Sequence, residues 1–216
     1  MQVVPSPMAG AARTATVAIT AVTVLAWLIA SVVATTDAAA LTLGFIPARI
    51  GGPPVPWTAV PAWLTPLSAT FAHGNLLHLG FNMLMLVWCG AAVERILGIT
   101  GLVVLYVAGA YAAAAAQWLA DPAGVVPMIG ASGAISAVIG AYSLSFGRPR
   151  QITRSQTANR WINALWLMVA WVLLQLMIGW LAGGQGYLLA TPAHIGGFAA
   201  GLLLQRPLLL WRYRSA

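Results

Sequence analysis

Long apolar runs, separated by short polar or glycine- and proline-rich stretches, dominate this chain of 216 residues. A helix of roughly 20 apolar residues crosses a hydrocarbon core of about 30 Å. Six runs approach that length, at residues 16–35, 76–97, 102–119, 129–146, 161–181 and 193–210. The runs are too long and too evenly apolar to be the alternating strands of a membrane barrel. The pattern therefore predicts an all-α protein, a polytopic bundle of six transmembrane helices.

The composition agrees with a membrane protein and indicates which partners to expect. The chain is 61% hydrophobic and 6% charged, with a mean hydropathy of +0.88, which leaves too few ionised side chains to cover a water-soluble surface. Its net charge of +7 does not predict nucleic-acid binding, because the basic residues do not alternate with polar or aromatic contact residues on a soluble domain. We therefore expect the lipid bilayer as a partner and no nucleic acid.

The basic residues predict the topology. All ten are arginines, and four of them lie between the fourth and fifth runs, at Arg148, Arg150, Arg154 and Arg160. The positive-inside rule places that connection in the cytoplasm. Alternation then puts Arg13, Arg95, Arg206, Arg212 and Arg214 inside as well, and only Arg49 outside. Both termini are predicted to be cytoplasmic, and the second, fourth and sixth helices to run from the outside to the inside.

We expect one membrane domain at 13–211, between a short disordered cytoplasmic tail at 1–12 and a short basic cytoplasmic tail at 212–216. The first outer connection, 36–75, is long and apolar, and it contains the breaker run Gly51-Gly52-Pro53-Pro54. Such a segment is expected to lie along the outer membrane interface. The single cysteine, Cys89, is interpreted as a small buried apolar residue.

Strongly polar side chains within apolar runs are energetically costly in lipid, so each of them needs a reason. Four stand out, His78 and Asn82 in the second run, Ser132 in the fourth and His194 in the sixth. His73 lies just before the second run. Because these three helices are predicted to enter from the outside, and each residue lies within about two turns of its helix start, all should share the outer half of the membrane.

The residue types at this depth fit acyl transfer. A serine hydroxyl is a weak nucleophile that needs a base within hydrogen-bond reach, and His194 could supply it to Ser132. His78 and Asn82, spaced i and i+4, project from one helix face and can donate hydrogen bonds to an oxyanion together with the Ser132 backbone N–H. The only acids are Asp37, Glu94 and Asp121, none with an evident path to the histidine. A Ser/His dyad is the economical interpretation.

Glycines surround both candidate reacting groups. Gly130 and Gly133 flank the serine and allow close backbone approach. Gly197 and Gly201 form a small-xxx-small face that is expected to pack the sixth helix against a glycine-containing partner, the fourth helix. Taken singly, these features have simpler explanations, since such a serine is more often a packing residue and an intramembrane histidine is as often structural or part of a proton relay.

His73 and His78 could bind a metal, but no carboxylate or thiolate joins them, so no metal or cofactor is expected. The occurrence of all these residues at one depth favours catalysis.

The motifs His73-x4-His78-x3-Asn82, Gly130-Ala131-Ser132-Gly133 and Ala193-His194-x2-Gly197-x3-Gly201, with Glu94-Arg95, resemble the rhomboid family of intramembrane serine proteases in its six-span form. The resemblance covers roughly residues 63–210. It implies Ser132 as nucleophile, His194 as general base and acid, and His78, Asn82 and the Ser132 backbone as the oxyanion site, with His73 in support. It also implies that the first outer connection is the family's interfacial loop and that the fifth helix gates lateral substrate entry.

Two positions depart from the family pattern. Ser136 stands where the family often has an aromatic residue that stacks on the catalytic histidine, so a water or the Ser136 hydroxyl is expected to orient His194 instead. Leu64-Thr65 stands where the first loop commonly carries a Trp-Arg pair. Both changes put catalytic efficiency and loop stability in question, and neither removes a reacting group.

The leading hypothesis is a serine endopeptidase that cleaves transmembrane segments of other proteins near the outer membrane surface. A catalytically silent relative that binds transmembrane segments is the alternative. A small transporter is disfavoured, because the third and fifth runs offer only Gln117, Asn163 and Gln175 as a polar path. Ten arginines without lysine, and alanine-rich runs, indicate a GC-rich bacterial genome and hence the bacterial plasma membrane. The sequence does not set the substrate, the biological process or the oligomeric state.

Overall fold

The computed structural model describes residues 14–53, 55–146, 151–181 and 190–214. The helices are α1 (Thr14–Val33), α2 (Thr36–Leu43), α3 (Thr65–Ser68), α4 (Leu76–Met85), α5 (Ala91–Ala120), α6 (Ser132–Phe146), α7 (Gln156–Leu181) and α8 (Thr191–Arg212). Short 3₁₀ turns lie at Pro47–Arg49, Ala62–Leu64 and Ala69–Phe71, and a π-helical turn, Leu86–Gly90, joins α4 to α5. Outside the described residues lie the predicted tail at 1–12, Pro54 of the breaker run, and the arginines Arg13, Arg148 and Arg150.

Within the described ranges, three helical stretches are long and apolar enough to cross a membrane, namely Thr14–Val33, Leu76–Ala120 and Gln156–Ile178. The second of these has 45 residues and is broken at Gly98, where φ is 77° and ψ is 173°. The break falls between the second and third predicted runs, because only glycine adopts such a conformation without strain. Large apolar side chains remain exposed along the helices, for example Val32 at 85% and Leu203 at 75%. The chain is therefore an all-α membrane protein.

The fourth predicted helix is corrected at its start. The sequence predicts it over 129–146, but α6 begins at Ser132 and has 15 residues. At 1.5 Å per residue it is about 22 Å long, shorter than a hydrocarbon core of about 30 Å. The preceding residues are not helical because Met128 pairs with Phe45 in an isolated β-bridge and Gly130 has a φ of 111°. This places Ser132 at the first residue of its helix.

Helix α6 forms the centre of the bundle, with most of its residues buried. It packs chiefly with α5 and α8, which also contact each other extensively. Gly197 and Gly201 lie directly against α6, where a Cβ on either would overlap the carbonyl oxygen of Gly133 or Ala137. The α6–α8 pair is thus held at backbone contact distance. Helix α7 is peripheral and packs mainly on α6, with smaller contacts to α8 and α4.

Hydrogen bonds connect the ends of α1, α5 and α8. The Glu94 carboxylate accepts from the backbone N–H groups of Ala15 and Thr16, both at 2.9 Å, and from the Thr16 hydroxyl at 2.6 Å. Arg212 Nη1 donates to the Arg95 carbonyl at 2.9 Å. The start of α1, the start of α5 and the end of α8 therefore lie together at one end of the bundle.

Candidate active site

Helix α4 presents two polar side chains towards the bundle. Its N-cap is Asn75, whose side-chain oxygen accepts from the His78 backbone N–H at 2.9 Å, which fixes where the helix starts. His78 and Asn82 then follow one turn apart. Asn82 is 1% exposed, and its Nδ2 has no hydrogen-bond partner among the described residues. Asn82 Nδ2 is therefore available to donate to an acceptor that is not part of the described structure.

Ser132 and His194 meet across the α6–α8 contact. The Ser132 Oγ lies 2.8 Å from His194 Nε2, and both side chains are buried. The glycine contacts of α8 explain this distance, because they let the two helix axes approach until the first turns touch. A serine hydroxyl at this separation from an imidazole nitrogen can pass its proton to the ring.

Gly130 lies between the α4 side chains and the start of α6. Its φ of 111° belongs to a region that residues with a side chain rarely adopt. A Cβ at this position would lie 2.7 Å from His78 Cε1 and Nε2, and 3.6 Å from Asn82 Nδ2. The two side chains therefore line the backbone immediately before Ser132. The first N–H groups of α6, which have no acceptor within their own helix, follow directly after this backbone.

His73 contacts both the backbone before Ser132 and the side chain of His78. Its Nε2 accepts from the Ala131 N–H at 3.4 Å, and its ring lies edge-on to His78 with centroids 5.0 Å apart. Burial, with a smaller contribution from His78, lowers the pKa of His73 to about 3. The ring is therefore neutral, as an accepting nitrogen requires. Trp27 Nε1 donates to the His73 carbonyl at 3.0 Å, which ties α1 to the same segment.

The expectation that the Ser136 hydroxyl orients His194 is wrong. Ser136 Oγ donates to the Ser132 carbonyl at 2.7 Å and accepts from Trp171 Nε1 at 2.8 Å, so the hydroxyl is engaged by α6 and α7. The aromatic ring beside His194 is Trp171, with centroids 6.4 Å apart and planes at 72°. The sequence gives no indication of this residue, because the contact joins two helices and the chain has ten tryptophans.

The segment that leads into Ser132 is held by the connection between α1 and α4 through main-chain hydrogen bonds. Phe45 and Met128 exchange two of them at 3.0 and 2.8 Å, Ala48 N donates to Gly124 O at 3.0 Å, and Gly130 N donates to Ala69 O at 2.9 Å. Sequence analysis does not find these bonds, since they involve no particular side chain. Within the connection, Arg49 Nη2 donates to the Val60 carbonyl at 2.7 Å, which braces a loop that lacks the Trp-Arg pair.

The Glu94 carboxylate is not part of the candidate site. It accepts hydrogen bonds from the start of α1, at the other end of the bundle. Among the residues that the structure describes, no three histidine, cysteine or acidic side chains group closely enough to hold a metal ion. The arrangement can therefore supply a nucleophile, a base and several hydrogen-bond donors from its own side chains and backbone.

The sequence of the chain is similar to those of several known proteins. The chain matches the Rhomboid domain family over residues 61–211. It is 31% identical over 144 residues to RHOMBOID-like protein 5 of Arabidopsis thaliana, a match that covers 67% of this chain and 43% of the relative. It is 32% identical over 143 residues to Rhomboid protein 1, mitochondrial, of Saccharomyces cerevisiae, covering 63% of this chain and 39% of the relative.

A third relative, Rhomboid-related protein 3 of Homo sapiens, is 27% identical over 146 residues, covering 64% of this chain and 34% of that protein. The chain thus spans about two fifths or less of the length of these curated relatives. Over the part that is shared, the family match includes every candidate site residue, from His73 to Gly201. The chain belongs to the rhomboid family.

Proposed function

We propose that the protein is an intramembrane serine endopeptidase that hydrolyses peptide bonds in or near transmembrane segments of other membrane proteins. The observation that carries the proposal is the 2.8 Å separation of Ser132 Oγ and His194 Nε2, close to the buried Asn82 Nδ2, which has no partner among the described residues. Membership of the rhomboid family supports the same reaction class.

The reaction follows from the roles of these groups. The Ser132 hydroxyl gives its proton to His194 Nε2 as Oγ bonds to the scissile carbonyl carbon. The oxyanion that forms accepts hydrogen bonds from Asn82 Nδ2, His78 and the Ser132 backbone N–H. The protonated imidazole then gives its proton to the amine as the C–N bond breaks, which leaves an acyl ester on Ser132. Water, deprotonated by His194, hydrolyses the ester and restores the serine.

The membrane arrangement is part of the proposal. Six spans with both termini in the cytoplasm would put the site in the outer half of a bacterial plasma membrane. The first outer connection would lie along the interface, and the substrate segment would enter beside the peripheral helix α7. The short helix α6 supports a site below the membrane surface, because a helix of about 22 Å leaves room above Ser132 for water to reach the hydroxyl.

A serine-directed fluorophosphonate probe and a generic transmembrane substrate test the proposal in detergent and in liposomes. Wild type is expected to be labelled and to cleave, whereas Ser132→Ala abolishes both and His194→Asn lowers both by about 10²–10⁴-fold. Ser143→Ala is the matched control, because Ser143 is a buried serine of the same helix whose hydroxyl donates to the Gly140 carbonyl and to no other group in the described part of the chain. Labelling that survives Ser132→Ala would refute the assignment. A folded wild type that is neither labelled nor active would favour a silent relative that binds transmembrane segments.

A further inference from the structure

Trp171 faces into the bundle, although the other tryptophans of the same helix do not. It is 3% exposed, whereas Trp161, Trp166 and Trp180, also on α7, are 53%, 66% and 77% exposed. Tryptophans on the outer face of such a helix are explained by contact with lipid. Trp171 needs a different explanation, which its two contacts supply.

The indole of Trp171 reaches both halves of the dyad. Its Nε1–H donates to Ser136 Oγ at 2.8 Å, and that hydroxyl donates onward to the Ser132 carbonyl at 2.7 Å. Its ring also meets the His194 imidazole edge-on, at 6.4 Å between centroids and 72° between planes. An edge-to-face contact restricts the imidazole to the orientations in which the ring planes stay crossed. One side chain of α7 therefore fixes the backbone behind the serine and the plane of the histidine together.

The way in which α7 packs on the bundle determines whether Trp171 stays in contact with Ser136 and His194. Among the described elements, α7 packs mainly on α6 and only lightly on α8 and α4. Since Trp171 is a buried anchor in that α6 contact, a displacement of α7 away from the bundle would withdraw the indole from Ser136 and His194 at once. The dyad would keep its residues and lose the group that orients the imidazole.

We propose that Trp171 is a positioning residue that makes the Ser132–His194 geometry depend on the seating of α7 against α6. The inference rests on the proposed protease function and deepens it by adding α7 to the machinery that sets the dyad. Only a seated α7 holds His194 in the plane that lets Nε2 face the hydroxyl. Opening of α7, by a substrate segment or otherwise, lowers the rate of the chemical step until the helix closes again.

Steady-state cleavage by the full chain in liposomes tests the proposal, with kcat and KM determined separately. Trp171→Leu is expected to lower kcat by about 10–100-fold and to change KM by no more than about twofold, because a misaligned base impairs the reacting geometry more than binding. Trp171→Phe keeps a ring edge and loses the N–H, so its kcat should fall by only about 3–10-fold. Trp166→Leu, an exposed tryptophan on the same helix, should stay within about twofold of wild type in both constants.

A double-mutant cycle isolates the hydrogen bond. Ser136→Ala and Trp171→Phe each break the same contact, so their combined loss of kcat should be no larger than the larger single loss. Full additivity would overturn the route through Ser136. A Trp171→Leu variant that unfolds at lower temperature but keeps the kcat of wild type per folded molecule would reduce Trp171 to a packing residue. If wild type itself neither cleaves nor labels, the proposed function fails instead, which keeps the two failures distinguishable.

Discussion

Replacing Gly130 with alanine should damage catalysis more than stability, because of where the added methyl group would lie. The backbone at this residue has a φ of 111°, a conformation that is strained by about 1–3 kcal/mol when a side chain is present. The new Cβ would lie 2.7 Å from His78 Cε1 and Nε2. Those atoms are the far end of a rotatable side chain, so the imidazole can swing away without disrupting the helices.

We therefore expect the free energy of unfolding to fall by about 1–3 kcal/mol, from the backbone strain. We expect kcat to fall by about 10²-fold or more, since displacing His78 removes one donor from the oxyanion site. Unfolding would be measured by denaturant titration in mixed micelles, and kcat by cleavage of a transmembrane substrate in liposomes. Gly80→Ala is the matched control for stability, because a Cβ on that α4 glycine meets nothing within 4 Å.

The variant Gly130→Ala/His78→Ala decides whether the activity is lost through His78. If displacement of the imidazole is the cause, the double variant should be no less active than His78→Ala alone. A double variant that loses the product of the two single losses would refute this reasoning. So would a Gly130→Ala protein with the kcat of wild type.

Three further changes test other parts of the structure. Asn82→Ala should lower kcat by about 10²–10³-fold without loss of thermal stability, because the deleted Nδ2 has no partner in the described fold. A fall in melting temperature that matches the loss of activity would contradict this. Glu94→Gln should lower the free energy of unfolding by about 1–3 kcal/mol, since the carboxylate accepts three hydrogen bonds from the start of α1, and unchanged denaturation in micelles would count against that contact. Gly197→Ala should lower it by about 1–3 kcal/mol and reduce fluorophosphonate labelling as well, because its Cβ would overlap the Gly133 carbonyl and separate the helices that carry the dyad.

Sequence reasoning reaches the features that depend on composition and chain order. Apolar run length predicts an all-α membrane protein, which the structure confirms, and helix alternation predicts which polar residues share a depth. Ser132 and His194, which alternation places at one depth, lie 2.8 Å apart between Oγ and Nε2. The catalytic role of the pair stays a prediction.

Other features escape the sequence for physical reasons. The start of α6 is set by the β-bridge of Met128 with Phe45, a pairing across 83 residues that no local pattern encodes. The role of Trp171 depends on which face of a peripheral helix meets α6. In both cases the deciding interaction is tertiary, so helix propensity and hydropathy carry no information about it.

The main-chain bonds between the α1–α4 connection and the segment before Ser132 have a consequence for how such proteins can diverge. A hydrogen bond between backbone groups is indifferent to the side chains beside it. Phe45 and Ala48 make such bonds, yet they lie outside the family match, which begins at residue 61. Substitutions can therefore accumulate in that stretch while its main-chain bonds to Gly124 and Met128, ahead of Ser132, are preserved. A comparison limited to the matched residues, or a chimaera joined at residue 61, would omit part of the structure that holds the candidate site in register.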